Sequence, residues 1–352
     1  MNLFNKIFSL FSHDIGIDLG TANTLVYVKG RGVIINEPSL VALNKKTEQV
    51  VAIGKNAKQM IGRTPAHIGI IRPLIEGVVS NFEITQEMLS YFIKKVHSEG
   101  KQLFARPRVV VGVPSEITEV ERRAVRDASQ NAGARETYLV EEPMAAAIGI
   151  GLPVKEPVGN MIVDIGGGTT DIAVISLGGI VTSMNLRVAG DKLNDDIVSY
   201  SRDELRLFLG EKTAEDVKVA IGMAYKVGQT QESTIRGRDI ISGLPREVII
   251  TDDDIQEAMS KSIKIIIESV KEVIETTPPE LVADIMQRGI YLVGGGSYLR
   301  GIGMLIQRET KIPVKVPDDP MYAVVNGCGI ILDNFEEYQS VLIQDSEEII
   351  PQ

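Results

Sequence analysis

Short β-branched runs alternate with stretches of helical spacing along this chain, and two of the runs are near copies of each other. Ile15-Gly-Ile-Asp-Leu-Gly-Thr-Ala-Asn-Thr-Leu-Val-Tyr-Val28 returns as Met161-Ile-Val-Asp-Ile-Gly-Gly-Gly-Thr-Thr-Asp-Ile-Ala-Val174. Each copy predicts a strand that ends near an acidic residue, a turn rich in glycine and threonine, and a second strand. Glycine in such a turn lets backbone N–H groups come close to a phosphate. Asp18 and Asp164 hold the same place in the two copies. Two hairpins of this kind, facing each other, would form a clamp. The turns grip a polyphosphate, and the two carboxylates hold a hydrated Mg²⁺, a hard cation that keeps several of its waters.

The first hairpin is followed by an alternating segment from Gly32 to Leu43, a polar turn from Asn44 to Gln49, and Val50 to Gly54, all of which predict further sheet. Lys55 to Arg72 predicts a short helix and a loop, so that residues 33–77 form a small insertion in a first lobe. Helical spacing at Met88, Leu89, Phe92, Ile93 and Val96 predicts a helix over Glu83 to Ser98, and Val109 to Val113 reads as a buried parallel strand ending at Pro114. Ser115 or Thr118 then caps a charged helix that runs through Asn131-Ala-Gly133. A second lobe repeats this grammar with the hairpin at 161–175, a strand from Gly179 to Val188, and a polar helical insertion from Asp191 to Gly237. A long helix is predicted from Asp252 to about Thr277, with Ile255, Met259, Ile263, Ile266, Ile267, Val270 and Ile274 at helical spacing. Asp252, Asp253 and Asp254 complement its positive end, and Pro278 and Pro279 stop it. Gly289 to Ser297 reads as a buried strand running into a glycine turn, followed by a helix over Tyr298 to Lys311, a junction suited to ligand binding.

With 352 residues, 44% hydrophobic and 24% charged, the chain can bury two or more lobes. Its formal charge of −10 and the lack of a basic block argue against nucleic acid as a partner. Cys328 is the single cysteine, which excludes an intramolecular disulfide and suits a buried small hydrophobe. His13, His67 and His97 show no metal-ligand spacing. No run reaches the roughly 18–20 apolar residues needed to span a bilayer, and no signal-peptide pattern opens the chain, so a cytoplasmic location is expected. Leu3, Phe4, Ile7, Phe8, Leu10 and Phe11 nevertheless fall on one helical face, opposite Asn2, Asn5, Lys6 and Ser9. That face suits a helix lying in a membrane interface, and it also suits docking on the chain's own domain.

Five motifs in one order resemble the actin/Hsp70/hexokinase nucleotide-binding fold and, in detail, the MreB-type bacterial actins. They are Asp18-Leu-Gly-Thr-Ala-Asn-Thr24, Val140-Glu-Glu-Pro-Met-Ala-Ala-Ala-Ile-Gly149, Asp164-Ile-Gly-Gly-Gly-Thr-Thr170, Gly210-Glu-Lys-Thr-Ala-Glu-Asp-Val-Lys218 and Gly294-Gly-Gly-Ser297. A lone triple glycine is weak evidence; five motifs in register from Asp14 to about Asp333 are specific. The resemblance implies an α/β, actin-like ATPase fold of two lobes, each a duplicated, mostly parallel β-sheet core flanked by helices, with two small insertion subdomains. It divides the chain into an amphipathic segment 1–12, a first core at 13–32 and 78–155 with the insertion 33–77, a second core at 156–189 and 250–334 with the insertion 190–249, and a C-terminal helix and acidic tail at 335–352.

Carried over residue by residue, the resemblance implies ATP or ADP with Mg²⁺. Thr21, Ala22 and Asn23 contact phosphate from one side and Gly167, Gly168 and Thr169 from the other, while Asp18 and Asp164 support the metal largely through water. Glu215, Asp216, Val217 and Lys218 line the nucleoside, and Gly294, Gly295, Gly296 and Ser297 approach base and ribose. Glu142 is implied as the catalytic residue that orients or activates water near the γ-phosphate, with Thr169 helping to position it. The residues alone leave other roles open. Pro143 suits a first helical turn, so Glu142 also fits a cap for the Ala145-Ala-Ala147 helix, and Lys218 also fits a solvated helix face. Two positions depart from the usual pattern: Asp171 stands where relatives carry glutamate, and so does Ala220.

The resemblance further implies slow ATP hydrolysis coupled to head-to-tail polymerisation into paired protofilaments. These would lie on the inner face of the cytoplasmic membrane, serve cell shape, and have membrane-bound shape or elongation proteins as further partners. Leu103 and Phe104 match the family's hydrophobic insertion loop and join Leu3, Phe4, Ile7, Phe8 and Phe11 as membrane candidates; packing inward is the other reading. The same clamp serves monomeric Hsp70-type chaperones and sugar kinases. Against the first, only about a score of residues remain beyond the nucleotide-binding fold, too few for a substrate domain. Against the second, no convincing base is aimed at an acceptor hydroxyl.

Overall fold

A computed structural model describes residues 13–98 and 106–344. The membrane candidates Leu3, Phe4, Ile7, Phe8, Phe11, Leu103 and Phe104 lie outside the described residues, as does the acidic end from Asp345 onward. The described chain separates into two compact units, the first holding residues up to 160, 175–181 and those from 322, the second residues 161–174 and 182–321.

The first unit opens on β1 (Ile15–Leu19), β2 (Asn23–Val28) and β3 (Gly32–Pro38). It continues through β4 (Val41–Asn44), β5 (Val50–Ile53), the one-turn helix α1 (Lys55–Lys58), β6 (Ile68–Ile71), β7 (Leu74–Ile75) and β8 (Val78–Val79). Then come α2 (Phe82–Ser98), β9 (Arg108–Val113), α3 (Glu119–Asn131), β10 (Glu136–Glu141) and α4 (Glu142–Gly149). Its main sheet has the order β10-β9-β1-β2-β3, with β10, β9 and β1 parallel and β2 antiparallel to both of its neighbours. Ile15, Ile17, Val109, Val110, Val111 and Leu139 are all fully buried, the unbroken apolar run expected of parallel strands covered on both faces.

Thr118, not Ser115, caps α3: its hydroxyl accepts from the Glu121 N–H at 3.3 Å while the Glu121 carboxylate accepts from the Thr118 N–H at 2.9 Å. Lys55 to Arg72, expected as a short helix and loop, also holds β6, which pairs with β4 in a sheet of order β5-β4-β6. This strand is four residues long and partly exposed throughout, so it lacks the in-out alternation that marks a longer one.

The second unit holds most of β11 (Asn160–Ile165), β12 (Thr170–Ser176) and β13 (Gly179–Leu186), then α5 (Gly190–Asp203), β14 (Leu207–Phe208) and α6 (Glu211–Ile221). It continues with β15 (Glu232–Asp239), β16 (Pro245–Thr251), α7 (Asp252–Thr276), α8 (Pro279–Arg288) and β17 (Ile290–Val293). A 3₁₀ turn at Gly295–Tyr298, α9 (Ile302–Thr310) and β18 (Val314–Lys315) complete it. Its main sheet, read as β18-β17-β11-β12-β13, repeats the order of the first: the leading hairpin strand in the middle, its hairpin partner on one side, a parallel strand on the other. The repeat seen in sequence is therefore a repeat of architecture.

The second insertion corrects its helical reading. Its first part is helical, but β15 pairs with β16 as an antiparallel hairpin, and β14 adds a third strand. Ile235 and Ile250 bury one face of this sheet, while Asp239 closes the turn by accepting from the N–H groups of Ile241 and Ser242 at 3.0 and 2.7 Å. The long helix α7 is capped by Thr251, whose hydroxyl accepts from the Asp254 N–H at 3.2 Å while the Asp254 carboxylate accepts from the Thr251 N–H at 2.8 Å. The helix expected over Tyr298 to Lys311 begins only at Ile302, because the chain first makes the 3₁₀ turn.

The chain returns to the first unit with α10 (Ala323–Asp333) and the one-turn helix α11 (Phe335–Tyr338). Helices α4 and α10 meet at backbone distance, for a Cβ at Gly149 would overlap the Ala323 carbonyl oxygen and one at Gly327 would overlap that of Ala145. Gly327→Ala should therefore lower unfolding stability by about 2–3 kcal/mol. A urea midpoint equal to that of the parent would show instead that the two helices separate freely. Cys328 of α10 is fully buried, its thiol 3.8 Å from the Ile17 carbonyl oxygen, as a small hydrophobe.

Candidate functional site

Asp18 lies near the carboxyl end of β1, opposite Gly112 of β9, which in turn aligns with Val140 of β10. Glu142 follows directly after β10, so parallel strands bring both carboxylates to one end of the first sheet, where α/β sheets bind ligands. A Cβ on Gly112 would lie 3.6 Å from Glu142 Cγ and only 2.8 Å from Val324 Cγ1, so glycine keeps this junction close. Burial pushes the Cys328 thiol well up, and the charges of Asp18 and Glu142 push it further, which places both acids within electrostatic reach of one sulfur. Asp18 keeps some solvent-exposed surface, yet the protein packed around it desolvates its carboxyl and raises it from 3.8 to about 7.

The turn after Asp18 is held from behind. The Thr21 hydroxyl accepts from the Gly77 N–H at 2.9 Å, and Ser39 donates its hydroxyl to the Gly20 carbonyl at 2.6 Å and its N–H to the Ala22 carbonyl at 3.0 Å. Thr24 and Ser39 share a further hydroxyl bond of 2.9 Å. Asn23 opens β2, and a Cβ on Gly20 would stand 2.7 Å from its carbonyl oxygen, so only glycine closes the turn. Neither Ser39 nor Gly77 lies within the motif it supports, so nothing in the local sequence marks them. Glu142 is the first residue of α4; Glu141 holds the cap position, and no side chain makes a capping bond there. Glu142 is therefore not the cap residue, but it stands in the first turn, where a carboxylate complements the positive end of the helix.

In the second unit Asp164 is buried and pairs with Val293 of β17. The turn after it closes through the Gly166 N–H donating to the Thr169 carbonyl at 2.9 Å. The start of α5 holds the turn in place: Gly190 and Asp191 donate their N–H groups to the carbonyls of Gly166 and Gly167 at 3.2 and 2.7 Å. Gly168 and Thr169 are buried and Gly167 half-buried. Lys218 reaches this support, donating from Nζ to the Gly190 carbonyl at 2.7 Å, so it is not merely a solvated face. Of its neighbours on α6, Glu215 is half-buried on the same side, Val217 turns into the hydrophobic core, and Asp216 is exposed and bonded to Lys212.

The glycines after β17 divide by role. A Cβ on Gly294, at φ 79°, would overlap Asp164 Oδ1, and one on Gly296 would overlap the Ile165 side chain, so both let the turn lie against β11. Gly295 alone has open space where a Cβ would stand, leaving room for a ligand. Ser297 donates its hydroxyl back to the Gly294 carbonyl at 2.6 Å. Asp171 accepts from Asn185 Nδ2 at 2.9 Å, and Ala220 is exposed.

Among the described residues, no three His, Cys, Asp or Glu side chains gather around a point that could hold a metal. The donors at the two hairpins are carboxylate, hydroxyl and carbonyl oxygens. At each hairpin taken by itself, these oxygens suit a hard cation such as Mg²⁺ that keeps most of its waters, and do not form a closed protein cage.

The MreB/Mbl protein family matches residues 12–340. The cell shape-determining protein Mbl of Bacillus subtilis is 48% identical over 328 residues, 93% of this chain and 98% of its own length. The cell shape-determining protein MreB of Escherichia coli K12 is 46% identical over 349 residues, 97% of this chain and all of its own. Among solved structures, MreB5 of Spiroplasma citri bound to ADP superposes with a TM-score of 0.88 at 39% identity, covering 93% of this chain and 98% of that one. Its AMPPNP-bound form gives 0.87 at 40%, covering 93% and 97%. The MamK double helical filament, at 23% identity and a TM-score of 0.77 over 92% of this chain and 99% of that one, shares the fold. With identity of this order along nearly its whole length, the chain belongs to the MreB/Mbl family, and its fold is actin-like.

Proposed function

We propose that this chain is an actin-like cytoskeletal ATPase that binds ATP with Mg²⁺ and polymerises into membrane-associated filaments that organise cell shape. The observation that carries this reading is the duplication. Asp18 opposite Gly112 and Asp164 opposite Val293 occupy the middle strands of two sheets of the same order, each followed by a tight turn braced from behind. Solved structures of MreB5 with ADP and AMPPNP support the nucleotide, the MamK filament supports self-association, and the names of the Mbl and MreB relatives support a role in cell shape.

In this reading the backbone N–H groups of the two turns bind phosphate oxygens. The Thr21 hydroxyl, whose oxygen accepts from Gly77, keeps its proton free to donate. Asp18 and Asp164 would hold the cation, and Mg²⁺, when bound, would supply charge neutralisation at the phosphates. Glu142 orients the attacking water and accepts its proton, directly or through a second water. Thr169, buried at the second turn, helps hold that water in place. Lys218, Glu215 and the open face of Gly295 flank the nucleoside. Polymerisation multiplies weak contacts of the apolar N-terminal face with lipid, so attachment and assembly reinforce each other. No helix among the described residues is long and apolar enough to cross a membrane.

Light scattering and pelleting with ATP and Mg²⁺ test the filament, and phosphate release without an added acceptor separates it from a kinase. A monomer that persists at every salt concentration and with vesicles present would overturn the reading. Deleting residues 2–11 is expected to weaken co-sedimentation with anionic vesicles; unchanged lipid binding would remove that segment from the reading.

A further inference from the structure

We propose that Arg300 is a positioning residue for the nucleoside: its guanidinium ties the end of α6 and the start of α7 to the glycine turn after β17, and so sets the spacing of the elements that flank base and ribose. This rests on the reading above, in which α6 and the glycine turn lie beside the nucleoside.

Arg300 stands just past the 3₁₀ turn Gly295–Tyr298. Its Nη2 donates to the Ile221 carbonyl at 3.0 Å and to Asp252 Oδ2 at 2.7 Å, and its Nε donates to the Gly222 carbonyl at 3.4 Å. Two of these acceptors are the carbonyls of the last residue of α6 and of Gly222 that caps it, which a cation stabilises as it would any helix C-terminus. The third is the first residue of α7. The backbone joins the same knot, with the Ala224 N–H donating to the Arg300 carbonyl at 2.7 Å and Met223 bridged in parallel to Arg300. Gly222 completes it, since a Cβ there would overlap the Lys218 carbonyl and lie 3.1 Å from the Leu299 side chain.

Asp252 is fully buried, its Oδ1 has no hydrogen-bond partner among the described residues, and Arg300 forms its ion pair. Burial alone would raise its carboxyl; the Arg300 guanidinium, the Gln231 backbone and the Lys226 charge outweigh that and hold it below the ordinary carboxylate range. Lysine is a poor substitute for the arginine. A single ammonium reaches one partner well, whereas the planar fork spans a carboxylate and two carbonyls at once.

The phosphate turn has its own support. Gly166 and Gly167 are held by Gly190 and Asp191 at the start of α5, to which α6 adds the Lys218 bond and a shared apolar core. None of these Arg300 hydrogen bonds runs to the turn or to α5. Loss of Arg300 should therefore displace the nucleoside flank and leave the phosphate turn as it was.

The test is titration of the full chain with Mg·ADP and, separately, with Mg·tripolyphosphate. Arg300→Met leaves Asp252 buried and unpaired, which threatens folding, so the decisive variant is Arg300→Met with Asp252→Asn, where no buried charge is stranded. This double variant is expected to bind Mg·ADP at least about tenfold more weakly than the parent and Mg·tripolyphosphate equally well, with Arg300→Lys in between. Undiminished Mg·ADP affinity would overturn the proposal, and so would a parallel loss for both ligands, which marks general loosening. A parent chain that binds tripolyphosphate but gains nothing from the nucleoside would instead overturn the nucleoside reading beneath it.

Discussion

Replacing Glu142 by alanine is expected to slow phosphate release by about a hundredfold or more, the usual contribution of a positioned general base. ATP affinity should change by less than about threefold, because ground-state binding and transition-state stabilisation are separate quantities. The local structure makes this separation possible. Glu142 is the first residue of α4, Glu141 precedes it at the cap, and no side-chain capping bond is lost with the carboxylate. The neighbouring Pro143, Met144 and Ala145 are buried and hold the helix whatever stands at 142. Glu142→Gln distinguishes base from brace: it keeps the shape and loses proton acceptance, so activity near that of the parent would mean the side chain only orients water. Equal losses of binding and hydrolysis in the alanine variant would make Glu142 structural.

Asp18→Asn should have the opposite character, gaining stability while losing function. The folded chain holds the Asp18 proton up to about pH 7, whereas an unfolded aspartate releases it near 3.8. The stability linked to this group is thus fully present below pH 3.8 and is lost as pH rises toward 7. By pH 8 the loss is complete and amounts to about 2–4 kcal/mol, the lower figure allowing for the solvent that still reaches the residue. Asparagine carries no such charge. The nucleotide-free variant should therefore melt higher than the parent at pH 8, with the two curves converging toward pH 4, while the melting shift produced by saturating Mg·ATP should largely vanish. Parallel melting curves across this range would show that Asp18 is not desolvated. An undiminished Mg·ATP shift would show that it does not serve the cation.

Both predictions concern residues legible in the chain, and the reason is local. A strand of β-branched residues, an acid near its end and a glycine turn are properties of a dozen neighbouring positions, so both hairpins and the long helix α7 could be read from spacing alone. Short elements were less legible. Strand β6 has four residues and lacks full burial, and the β15–β16 hairpin sits after two helices in a polar stretch where periodicity is weak. Three aspartates at the start of α7 carry the dipole signal in sequence, while Thr251 before them makes the capping bond.

The sequence by itself determined that two acid-bearing hairpins exist, that they stand in equivalent places, and that a helix starts close to Glu142 and Pro143. Only tertiary structure decided what braces them. Ser39 and Gly77 hold the first turn, Gly190 holds the second, and Arg300 reaches back to Ile221 and across to Asp252. These partners are separated along the chain by up to about eighty positions, and nothing in their local spacing marks them. A hydrogen bond or buried ion pair between distant residues is defined by packing, which brings together atoms that composition and periodicity leave apart.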